Sequence, residues 1–70
     1  MDTVTLDIPN ISCNHCVMTV KQALEGVDGV EQAKVDLDAG SAVVEYDDGR
    51  TEPAALASVV SEEGYPATVG

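Results

Sequence analysis

The apolar residues of this chain change their spacing in a fixed order, and that order limits the fold more than any other feature. Val4, Leu6 and Ile8 alternate with Thr3, Thr5 and Asp7, the period of a half-buried strand. Pro9 stops the strand, because proline has no N–H to give to a ladder. Residues 10–13 read as a loop. Val17, Val20, Leu24 and Val27 then follow at spacings of three, four and three, which makes one apolar stripe on a helix. Asn14 or Ser12 is placed to cap its start, Gly26 and Gly29 mark its end, and the pattern sets the helix at residues 14–26.

The second half repeats the change of period. Val30 opens a strand in which Ala33, Val35 and Leu37 alternate with Lys34, Asp36 and Asp38. Residues 38–41 form a turn, with Gly40 free to take the left-handed position. Ala42, Val44 and Tyr46 alternate with Val43, Glu45 and Asp47, so the two strands make a hairpin. After a loop at 47–50, Thr51 is placed to cap a second helix with Pro53 in its first turn. Leu56, Val59 and Val60, flanked by Ala55, form its buried stripe. Gly64 ends it, and residues 66–69 read as a terminal strand.

The expected fold is therefore α+β, a single domain over residues 1–70. It is the ferredoxin-like βαββαβ arrangement, an antiparallel four-stranded sheet with two helices on one face. That topology gathers three segments at one end: the loop carrying Cys13 and Cys16, the turn at 38–41, and Gly64-Tyr65.

With 70 residues, no Trp and no Phe, the core has to be aliphatic. Thirteen acidic against three basic residues give a net charge of −10, which disfavours nucleic acid and anionic membranes as partners. The acids are spread along the chain, so they read first as a solvated surface suited to high salt, and second as a match for a basic partner. No apolar run approaches the roughly 20 residues that span a bilayer. Residues 1–5 show neither a basic n-region nor a long apolar h-region, and the expected location is cytoplasmic.

Cys13-Asn14-His15-Cys16 is the one segment that stands out as chemistry. Two cysteines do not make a disulfide framework. Two thiolates with two residues between them can converge on one soft ion. Two ligands are too few for a structural zinc site, which takes four; Cu(I) accepts two or three. Both cysteines lie at a helix start, where unpaired N–H groups and the dipole favour the thiolate. Disulfide exchange by the same pair stays open as a thiol-disulfide oxidoreductase reading, although the segment lacks the setting of a thioredoxin-like enzyme. His15 points to solvent or touches the metal, the first being favoured. Tyr65 either donates its hydroxyl near the site or packs under the loop. Ser12 reads as a cap or loop hydroxyl, Met18 as a gap-filler on the helix flank, and Ile11 as a plug into the core. Nothing has the pattern of general acid–base or nucleophilic catalysis, so an enzyme is not expected.

The segment Ile8-Pro9-Asn10-Ile11-Ser12-Cys13-Asn14-His15-Cys16-Val17 resembles the heavy-metal-associated domain motif, and the resemblance runs on to Glu63-Gly64-Tyr65. It implies that Cys13 and Cys16 bind Cu(I), that Tyr65 is the tyrosine beside the metal loop of prokaryotic copper chaperones, and that copper homeostasis is the setting. The family's usual methionine two residues before the first cysteine is here Ile11, a stiffer side chain for the same space. The partners it implies are a copper-transporting P-type ATPase or a copper-responsive repressor. A monomer is expected, with a copper-bridged dimer as a further state. The start at Met and the end just after the last strand favour a free chaperone over an N-terminal domain of such an ATPase, and the lack of a signal peptide disfavours a periplasmic mercury carrier.

Overall fold

A computed structural model describes residues 2–70. Four strands and two helices follow in the expected order: β1 (Asp2–Asp7), α1 (Asn14–Glu25), β2 (Val30–Asp36), β3 (Ser41–Tyr46), α2 (Pro53–Glu62) and β4 (Thr68–Val69). The sheet order is β2-β3-β1-β4, and every pairing is antiparallel. The inward residues Leu6, Ala33, Ala42, Val44 and Tyr46 meet Val20 and Leu24 of α1 and Leu56 and Val60 of α2 in one buried cluster. Both helices therefore cover the same face of the sheet. Among the described residues, no helix is long and apolar enough to cross a membrane.

Alternation alone does not account for Val30. It lies three residues before the buried Ala33, so strict period two would turn the two side chains to opposite faces. The ladder shifts between Val30 and Gln32, and Val30 sits opposite Tyr46. This one-residue bulge at Glu31 returns Val30 to the core side.

Several expected boundaries move. β1 ends at Asp7, and Ile8 is fully buried outside the strand. Leu37 falls beyond β2, and β4 shortens to two residues paired with Leu6 and Asp7. Val59 and Ala55 are half-buried beside the sealed Leu56 and Val60.

The caps also differ. Cys13 itself holds the N-cap position of α1 in extended backbone, and no side chain caps the helix, neither Ser12 nor Asn14. The N-cap of α2 is Glu52, which leaves Thr51 one residue too early; Pro53 takes the first helical position as expected.

The core is sealed but small. Truncating Leu24 or Leu56, both with no exposed surface, is expected to cost about 2–5 kcal/mol. The same change at Met18, 59% exposed, is expected to stay within about 0.5 kcal/mol. Urea unfolding of the three alanine variants checks this. A second expectation concerns charge. Among the described residues Arg50 makes both ion pairs, to Asp28 at 3.3 Å and Asp47 at 3.7 Å, so most carboxylates have no paired cation. The thermal midpoint should rise as NaCl goes from about 10 mM to 1 M, where the screening length falls from about 30 to 3 Å. A flat or falling midpoint would exclude self-repulsion as a destabilising force.

Candidate metal centre

The cysteine loop is held from below by two apolar anchors. Ile8 is fully buried and Ile11 is 7% exposed, while Pro9, Asn10, Ser12 and Cys13 lie at the surface. The Ile8 N–H donates to the Gly40 carbonyl at 2.7 Å, and the Ile11 N–H to the Ile8 carbonyl at 3.3 Å. The turn before β3 thus reaches the cysteine loop, as the topology implies. Gly40 has φ +64°, a conformation that other residues rarely take.

Cys13 and Cys16 occupy the N-cap and third positions of α1. This is the spacing of a capping box, in which the N-cap and third side chains turn toward each other across the first turn. Here sulfurs replace the oxygens. Both thiols are free, and Cys13 Sγ lies 3.2 Å from Cys16 Sγ. Cys13 is exposed and Cys16 half-buried. The first helical bond runs from the Val17 N–H to the Cys13 carbonyl, so the N–H groups of the preceding turn have no helical acceptor. No acidic residue stands in that turn, and the positive end of the helix is left to the sulfurs.

Tyr65 supplies the strongest influence on Cys16. Its side-chain hydrogen bond to Cys16, followed by that of Cys13 and by backbone donors at Ser12 and Cys13, pulls the Cys16 thiol down to about 6 against a smaller opposing effect of burial. The same hydrogen bond, with burial and the nearby sulfurs and Glu63, pushes the Tyr65 phenol up, so it keeps its proton. The tyrosine comes from the segment after α2, where its N–H bonds the Val60 carbonyl at 3.4 Å. Both readings of Tyr65 hold together: it also packs against the core.

The other candidates stand apart. His15 is exposed, with its backbone carbonyl accepting the Thr19 hydroxyl at 3.0 Å. Among the described residues no group of three or more His, Cys, Asp or Glu gathers around one point, so the structure does not bring His15 to the sulfurs. Ser12 acts through its backbone. Met18 is exposed on the flank of α1 and fills no gap. Sequence reasoning missed that Cys13 is the cap itself; the three-residue step from Cys13 to Cys16 was the available signal.

A soft metal–sulfur bond is about 2.3 Å, the value for zinc. A two-coordinate ion therefore needs sulfurs more than about 4 Å apart, and the pair must open by about 1 Å. The exposed Cys13 is free to make that movement.

The heavy-metal-associated domain profile matches residues 5–66. The chain belongs to this family. It is 40% identical over 67 residues to the periplasmic component of the mercuric transport protein of Pseudomonas fluorescens, covering 96% of this chain and 74% of that one. The crystal structure of oxidized MerP from Ralstonia metallidurans CH34 superposes with a TM-score of 0.93 at 38% identity, covering 97% of this heavy-metal-associated chain and 94% of that one. The apo copper chaperone of Enterococcus hirae gives 0.91 at 31% identity, covering 96% and 98%.

Replacing Tyr65 with Phe removes the leading donor to Cys16. Its pKa should climb from about 6 toward the ordinary thiol range. At pH 7 the thiolate fraction then falls, and alkylation of Cys16 slows. Thiolate absorbance against pH checks the shift; an unmoved curve would remove Tyr65 from the site's electrostatics.

Proposed function

We propose that this chain carries Cu(I) between the thiolates of Cys13 and Cys16 and gives it up to a partner protein by thiolate exchange. The observation that carries the reading is the contact of two free sulfurs at the mouth of α1, one of them exposed. A soft monovalent ion between two thiolates leaves a complex of charge −1, which the helix end and the Tyr65 hydroxyl stabilise. A partner thiolate attacks from the Cys13 side, the ion passes through three-sulfur coordination, and a cysteine of this chain leaves. Nothing is oxidised or reduced, and the number of metal–sulfur bonds is restored at the end. The partner is read as a copper-transporting P-type ATPase or a copper-responsive repressor, and the compartment as the cytosol, where thiols stay reduced. The protein acts as a monomer in this reading.

A second reading takes Hg(II) as the cargo. The same two thiolates suit it, and the 40% identity to a mercuric transport component favours it.

Titrating the reduced protein with Cu(I) against a competing chelator, and separately with Hg(II) against a competing thiol, decides between them. The copper reading expects one Cu(I) per chain, retained against the chelator and lost in Cys13→Ser and in Cys16→Ser. Retention of Hg(II) with ready loss of Cu(I) would replace it by the mercury reading. Turnover of protein disulfides with neither metal retained would point to the oxidoreductase.

A further inference from the structure

The sulfurs are presented by a loop whose base is fixed from outside its own sequence. The fixing atom is the Gly40 carbonyl, 2.7 Å from the Ile8 N–H, and it belongs to a turn that Asp36 holds closed. Asp36 Oδ1 accepts the Asp38 N–H at 3.0 Å and the Ala39 N–H at 3.3 Å. The Gly40 N–H, bonded to the Leu37 carbonyl at 3.3 Å, completes the turn. Asp36 also forms the last rung of the β2–β3 ladder, opposite Ser41, and Ser41 in turn faces Asp7, the residue before Ile8. A short run of bonds therefore leads from one exposed carboxylate through the turn to the start of the cysteine loop. Lengthening it at Asp36 lets the Gly40 carbonyl swing away from Ile8.

We propose that Asp36 is a positioning residue for metal carriage, closing the turn whose Gly40 carbonyl anchors the cysteine loop. It does not touch the cargo. Its part is to limit how far the loop base yields when the sulfurs part to admit an ion, and so how readily the loaded pair opens again. The link to carriage rests on the reading of Cys13 and Cys16 as the carrier pair; the link to the loop does not.

The molecule contains its own control. Asp47, at the opposite end, closes a similar turn by accepting the Gly49 N–H at 3.0 Å and has no connection to the cysteine loop. The experiment compares Asp36→Ala, Asp36→Asn and Asp47→Ala with the unaltered chain. The readouts are amide hydrogen exchange, which needs no metal, and the rate at which a chelator strips Cu(I). Asp36→Ala removes two hydrogen bonds and is expected to speed exchange at Ile8 and Cu(I) loss each by at least about fivefold, the factor that the net loss of one ordinary hydrogen bond gives. Asp36→Asn keeps the Oδ1 acceptor and should return both toward the unaltered values. Asp47→Ala should move neither. Equal effects of Asp36→Ala and Asp47→Ala, or none at Ile8, would overturn the proposal. In the unaltered chain Asp38, Ala39 and Ile8 should open together. Independent exchange at Ile8 would overturn the proposal even if Asp36→Ala did not fold. A chain that retains no Cu(I) while exchange follows the expected pattern would defeat the copper reading and leave the anchor standing.

Discussion

Ile8 and Ile11 are both withdrawn from solvent, and Pro9 and Asn10 between them are not. That pair of anchors determines the rest of the cysteine loop. Once Ile11 is seated, the chain has only Ser12 before it reaches the first helical turn, so Cys13 falls at the N-cap and Cys16 in the turn above it. The sulfurs then meet because capping positions face each other, and they meet outside the core. The aliphatic cluster beneath makes this possible. With no Trp or Phe to fill space, small side chains from three strands and two helices have to interlock, and a branched isoleucine at position 11 fits such a layer as a rigid plug.

Electrostatics then act on a site that packing has already placed. The helix end, the neighbouring sulfur and the Tyr65 hydroxyl all favour negative charge on Cys16, while burial opposes it. Cys13, outermost, is the sulfur an incoming thiolate meets first. A single loop thus holds one sulfur that is supported on several sides and another that is free to move, an arrangement suited to keeping an ion and also to releasing it.

Much of this was legible in the residues. The six elements follow from changes of apolar period, and the convergence of the cysteine loop, the turn at Gly40 and Tyr65 follows from strand direction alone. What escaped was local. Ser12 and Thr51 have good capping side chains, yet each lies one residue before the position its helix uses. Capping preference identifies a residue type without fixing which of several neighbours takes the role. The inward turn of Val30 depends on a bulge that period two cannot express. β4 was overextended because Pro66 and Ala67 continue the apolar character without pairing. The hydrogen bonds of Asp36 were invisible for another reason: an aspartate before a turn looks the same whether its carboxylate is solvated or folded back onto the backbone.

The two tyrosines have a practical consequence. Tyr46 lies in the core at 7% exposure, far from the cysteine loop at the other end of β3, whereas Tyr65 stands against Cys16. In a chain without tryptophan, the near-ultraviolet spectrum therefore comes from one phenol shielded from events at the sulfurs and one beside them. Occupancy of the pair should be readable as a change in a single native chromophore, with no dye or fusion attached.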